Sequence, residues 1–113
     1  MQINEYQEAT LTTAIYPDAG AGTIRAFSYV GLGLAGECGE FCDKLKKVVR
    51  DDDGFLQEDR RQALIGELGD VLWYASQAAT ELGVDLEEVA KRNLDKLLSR
   101  KERGVLKGSG DNR

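Results

Sequence analysis

Apolar residues recur every three or four positions over long stretches of this chain, and β-branched alternation is sparse, so the pattern predicts helices. A first helix is expected from about Asn4 to Ile15, with Asn4 as its N-cap. Tyr16-Pro17-Asp18 and Ala19-Gly20-Ala21-Gly22 then form a loop. A second, long helix is predicted from Thr23 to Arg50, with Phe27, Val30, Leu34, Cys38, Phe41, Leu45 and Val48 as its apolar stripe. Asp51-Asp52-Asp53-Gly54 ends it. A third should run from Glu58 to Leu82, presenting Leu64, Leu68, Val71, Leu72, Ala75, Ala79 and Leu82, with Gly83 as its stop. Asp85 and Glu88 make a capping-box variant that opens a fourth helix, whose stripe is Leu86, Val89, Ala90, Leu94 and Leu97. Gly104 stops it, and residues 104–113, with three glycines, read as a flexible tail.

At 113 residues the chain has room for one domain. Residues 1–103 are expected to form a single all-helical domain, all-α with a four-helix bundle-type core. One chain of this size cannot cover the apolar faces of both long helices. A homo-oligomer, a homodimer or homotetramer, should therefore complete the bundle between subunits.

Composition narrows the chemistry. Fifteen basic against 20 acidic residues give a net charge of −5, which argues against binding a nucleic-acid polymer through its backbone. The absence of His removes imidazole catalysis, His-zinc sites and the Glu-x-x-His motif of di-iron bundles. Cys38 and Cys42 read as small buried hydrophobes. No leader-like segment and no apolar run near 20 residues is present, so the expectation is a cytoplasmic protein with no membrane partner.

Gly31-Leu32-Gly33-Leu34-Ala35-Gly36 fits the Gly-x-Gly-x-x-Gly dinucleotide fingerprint, but that motif works only between a strand and a helix with parallel strands alongside. Every later apolar pattern here is helical. The better reading is that these glycines and Gly39 let another backbone or a ligand approach the helix.

Glu37 and Glu40 lie three apart on the second helix, and Glu67 and Asp70 repeat that spacing on the third. Each pair borders an apolar stripe, so antiparallel packing would bring four carboxylates toward one cleft. Their mutual repulsion calls for a cation. Oxygen donors without His favour Mg²⁺, with Mn²⁺ as the other choice. The plainer reading is solvated surface charge, with Glu40 and Lys44 as an ordinary i,i+4 pair. On the fourth helix Asn93, Lys96 and Arg100 share a face, a cradle for phosphate oxygens or simply a solvated surface.

Three segments carry a family resemblance: Gly33-Leu34-Ala35-Gly36-Glu37-Cys38-Gly39-Glu40, Glu67-Leu68-Gly69-Asp70-Val71-Leu72-Trp73-Tyr74 and Asn93-Leu94-Asp95-Lys96. In this order, over roughly residues 32–103, they resemble the MazG-like all-α nucleoside triphosphate pyrophosphatases. The resemblance implies Mg²⁺-dependent hydrolysis of nucleoside or deoxynucleoside triphosphates to monophosphate and pyrophosphate, by metal-activated water attack on the α-phosphate. It implies Glu37, Glu40, Glu67 and Asp70 as metal ligands, Glu37 or Glu40 as catalytic base, and Asn93, Lys96 and Arg100 as substrate-binding residues. Lys44 or Lys47 would add charge at the leaving pyrophosphate. Gly36 stands where many members carry a second adjacent Glu, which alters the expected ligand set. Trp73 is expected in the core, and the tail is expected to fold over a bound nucleotide. The reading from another class is a non-enzymatic helical interaction or regulatory module, its carboxylates surface charge and its stripes partner interfaces.

Overall fold

The computed structural model describes all 113 residues, and helices are the only regular elements. Helix α1 (Ile3–Thr10) runs into one 3-10 turn at Leu11–Thr13, followed by α2 (Ile24–Asp51), α3 (Glu58–Glu81) and α4 (Leu86–Glu102). The glycine run of α2 therefore sits inside a helix, not at a strand–helix turn. The three long helices begin and end within a residue or two of expectation. At the start of α2 the Thr23 hydroxyl accepts from the Ala26 amide at 3.2 Å, an N-cap that satisfies a free N–H.

The first helix departs from the pattern in two ways. It is shorter, because Thr10, Thr12 and Thr13 turn their hydroxyls back onto the carbonyls of Gln7, Ala9 and Thr10 at 2.7, 2.8 and 2.9 Å. Such local bonds compete with the helical ladder and favour the tighter turn. Its N-cap is Gln2, whose amide donates to the Glu5 carboxylate at 2.8 Å. Asn4 instead serves α4, where its Oδ1 accepts from the Glu87 amide at 3.2 Å while its Nδ2 donates to the Glu87 carboxylate at 3.0 Å. Gln7 likewise accepts from the Leu86 amide at 2.7 Å. Asp85 is the N-cap residue of α4, yet its own side chain makes no capping bond. The free N–H groups of α4 are thus satisfied from α1, which fastens the two helices end to side.

Helices α2 and α3 pack as an antiparallel hairpin. The pairings Lys44 with Glu67, Gly33 with Tyr74 and Gly22 with Glu81 run in opposite chain directions. At Gly33 a Cβ would run into the Tyr74 ring, so this position admits only glycine without displacing the ring. The apolar core is small: Tyr16, Ala26 and Val30, with Ala14, Trp73, Tyr74 and Ala78 packed against them. Trp73 lies edge-on to Tyr16 and donates its indole N–H to Thr13 at 2.9 Å, a core role. Between α1 and α3 the buried contact is polar, with Gln77 donating to the Thr10 hydroxyl at 2.7 Å beside Ser76.

Large parts of the predicted stripes lie open in the single chain. Leu68 is 57 % and Leu94 56 % exposed, and Leu45, Leu72, Leu82, Val89 and Leu97 are exposed as well. Cys38 and Cys42 are exposed free thiols, contrary to the buried role expected of them. The reason is that α2 is covered along one side only, by α3, while α4 meets the rest of the chain near its start. The radius of gyration is 16.9 Å, against about 13 Å for a compact chain of this length. No helix is long and apolar enough to cross a membrane.

Candidate metal centre

The hairpin register decides which acids meet. Glu37 follows Gly33 by one helical turn and Asp70 precedes Tyr74 by one, so the Gly33–Tyr74 contact carries Glu37 toward the third helix's acidic pair. One carboxylate oxygen from each of Glu37, Glu67 and Asp70 lies within 4.8 Å of the others. Glu37 and Glu67 are half-buried and Asp70 is exposed.

This crowding is only partly relieved by the chain itself. Glu67 forms an ion pair with Lys44 at 2.7 Å. Lys44 thus reaches across the hairpin, where an i,i+4 pair with Glu40 was expected. Glu37 has no cation of its own. Its pKa is raised above the ordinary carboxylate value, first by burial, then by the charges of Asp70 and Glu67, a hydrogen bond with Glu67 and the charge of Glu40. Glu40 lies outside the three-carboxylate group, one turn further along α2, close enough to contribute to that repulsion. Lys47 is engaged with Asp43 at 2.8 Å.

Two tyrosines, Tyr6 and Tyr74, border the centre. Burial and then Asp70 raise the pKa of the Tyr6 phenol. Burial, followed by Tyr29 and Glu37, does the same for Tyr74. These phenols hold their protons and so remain neutral next to the acids. Tyr74 was legible in principle, because it falls on the Asp70 face at i,i+4. Tyr6 was not, since its approach depends on how α1 docks. The donor set of carboxylate oxygens with unneutralised charge fits a hard divalent cation.

The expected phosphate cradle is elsewhere in the chain. Asn93 and Lys96 line a cleft with Leu82 and Val84 at the far end of α3. The helical rise puts Leu82 about 18 Å from Asp70. Arg100 and Lys96 pair with Asp111, not with any of the four candidate ligands.

The chain is all-helical, and its central hairpin gathers three carboxylates around a single lysine, a candidate cation site. Residues 26–105 match the MazG nucleotide pyrophosphohydrolase domain, and the chain belongs to that family, which is generally dependent on a divalent metal. Over 114 residues, covering all of both chains, it is 53 % identical to the "Gene 37 protein" of Mycobacterium phage L5. No solved structure matches it significantly.

Proposed function

We propose that this protein is a metal-dependent pyrophosphohydrolase that converts a nucleoside or deoxynucleoside triphosphate and water to the monophosphate and pyrophosphate. The observation that carries this reading is the convergence of Glu37, Glu67 and Asp70 within the family-matching segment, with Glu37 left without a neutralising partner. These three residues would hold Mg²⁺ or Mn²⁺, and Glu40 would join them. A divalent ion held by these carboxylates would draw electron density from the α-phosphate and lower the pKa of a bound water. Glu37 or Glu40 accepts the proton of the attacking water as its oxygen bonds to the α-phosphorus and the bond to the bridging oxygen breaks. The departing pyrophosphate takes the electron pair of that bond, and cations stabilise the charge that develops on it.

Asn93, Lys96 and Arg100 are the phosphate-binding residues in this reading. Their separation from the carboxylates within one protomer is the reason to place them in a site shared between subunits. A second copy of the chain also covers the open stripes that include Ile65, Leu68 and Leu72, and a homodimer or homotetramer follows from both needs. The substrate is a free nucleotide in the cytoplasm, with neither a nucleic-acid polymer nor a membrane as partner.

The test is a panel of common NTPs and dNTPs with Mg²⁺ and with Mn²⁺, products separated by ion exchange. Monophosphate with pyrophosphate is the expected pair. Diphosphate with orthophosphate would retain the cation site and overturn the reaction. A folded sample with no turnover, and no thermal shift on adding cation and a non-hydrolysable nucleotide, would favour the interaction module.

A further inference from the structure

The segment after α4 folds back on that helix and reaches two of the three residues assigned to phosphate, Lys96 and Arg100. It is a stitched loop. Arg113 donates from Nε to the Val105 carbonyl and from Nη2 to the Leu106 carbonyl, each at 3.2 Å, and from Nη1 to the Gly110 carbonyl. Arg103 closes it by donating to the Arg113 main-chain oxygen at 2.9 Å. Gly110 turns the chain at a φ of +83°, a conformation that glycine adopts without strain. That turn delivers the Asp111 carboxylate to the α4 cations: Oδ1 lies 3.3 Å from Lys96 Nζ and 3.3 Å from Arg100 Nη2. Arg100 Nη2 also donates to the main-chain oxygens of Asp111 at 3.0 Å and Gly110 at 3.4 Å.

The match between this carboxylate and its seat is incomplete. The Arg100 side chain is only 5 % exposed, yet its Nε–H is buried with no hydrogen-bond partner. A guanidinium presents a planar fork that suits an oxyanion with two oxygens in reach. Asp111 offers one oxygen to both cations and leaves the Nε arm of the fork unused. A phosphate group carries enough oxygens to meet Nε, Nη2 and Lys96 together. Leaving a buried donor unpaired is costly, so the seat favours the fuller anion. Asp111 itself is 83 % exposed, so solvent screens the attraction of its carboxylate for the two cations.

We propose that residues 104–113 form an intramolecular strap, in which the Asp111 carboxylate occupies the anion seat of Lys96 and Arg100 and is exchanged for phosphate oxygens when nucleotide binds. This rests on the assignment of Lys96 and Arg100 to phosphate. Asp111 is then a competitor of the substrate, and the strap keeps the two cations ordered until substrate arrives.

The experiment is calorimetric titration of the full chain with inorganic pyrophosphate, comparing wild type, Asp111→Asn, Lys96→Gln and the double variant. Asp111→Asn keeps the size of an exposed side chain, so folding is expected to be retained, and circular dichroism checks it. The expected result is pyrophosphate binding tightened about fivefold by Asp111→Asn, the scale of an exposed ion pair. Lys96→Gln should weaken binding, and the gain from Asp111→Asn should shrink in its presence. In wild type, the amide resonances of Gly110 and Asp111 should shift as pyrophosphate is added. Unchanged or weaker binding by Asp111→Asn, with Lys96→Gln still weakening it, overturns the strap and leaves the phosphate assignment standing. Unchanged binding by Lys96→Gln overturns that assignment and the strap with it.

Discussion

Two groups of acids on the same helical hairpin have opposite fates. Near the end of α3, Glu81 is buried, and its carboxylate accepts from the Tyr16 hydroxyl at 2.8 Å and from the amides of Gly20 and Gly22 at 2.9 and 3.0 Å. Burial pushes its pKa up, but the Gly22, Gly20 and Tyr16 hydrogen bonds together outweigh that and bring it below the ordinary value. The protein finishes this site by itself, and the result pins the loop before α2 against the end of α3. Some three turns away, Glu37, Glu67 and Asp70 meet with one lysine between them, and Glu37 is displaced upward. A carboxylate given enough donors can be held as a charged structural anchor. At the second group repulsion is left in place, which Glu81 escapes through its three hydrogen bonds.

The largest expected effect comes from breaking the unfinished site. Asp70→Asn should lower metal-dependent turnover by about 100-fold or more, with circular dichroism unchanged. Full turnover in that variant would remove Asp70 from the centre. The finished site should respond in stability instead. Glu81→Gln replaces a charge-assisted acceptor and is expected to cost roughly 2 kcal/mol in denaturant unfolding, with Mn²⁺ affinity at the distant cluster unchanged.

Their pH dependences should also run in opposite directions. Because folding lowers the Glu81 pKa, its contribution is present above the unfolded value and lost as pH falls through the folded one. Wild type should therefore lose more stability than Glu81→Gln on acidification below the ordinary glutamate range. Because folding raises the Glu37 pKa, its contribution is present below the unfolded value and lost as pH rises through the folded one. Glu37→Gln removes that loss, so the smallest of these effects is a modest rise in the metal-free melting temperature at pH 7, measured by differential scanning fluorimetry. The same variant should lose the upward shift that Mn²⁺ produces in wild type. A Glu37→Gln protein less stable than wild type without metal would show that Glu37 is not under repulsive strain.

The periodicity was sufficient for the long helices because their signals are local. The α2, α3 and α4 boundaries depend on apolar spacing, Thr23 and the glycines that follow α3 and α4, all readable within a few residues. Helix α1 was harder, since three threonine hydroxyls shorten it and its Asn4 and Gln7 serve another helix. Those partners lie some 80 residues away in sequence, where no local pattern reaches. For the acidic centre, spacing named Glu37, Glu40, Glu67 and Asp70 because i,i+3 pairs share a helix face, and the structure gathers three of them while Glu40 stands outside. It could not choose the Lys44 partner, which is decided by how two helices slide past one another.

By itself, the order of residues determined that this chain is helical, where its long helices begin and end, and which faces carry acids or apolar groups. These are consequences of backbone propensity and a 3.6-residue repeat, which act over one or two turns. Only the tertiary structure decided which acids would be neutralised. Glu81 and Glu37 are both glutamates on long helices, and their difference comes from what was carried to them from far along the chain. Two glycine amides and a tyrosine reach Glu81, while Glu37 meets two more carboxylates, because hairpin register brings distant groups within the few ångströms over which hydrogen bonds and charge repulsion act.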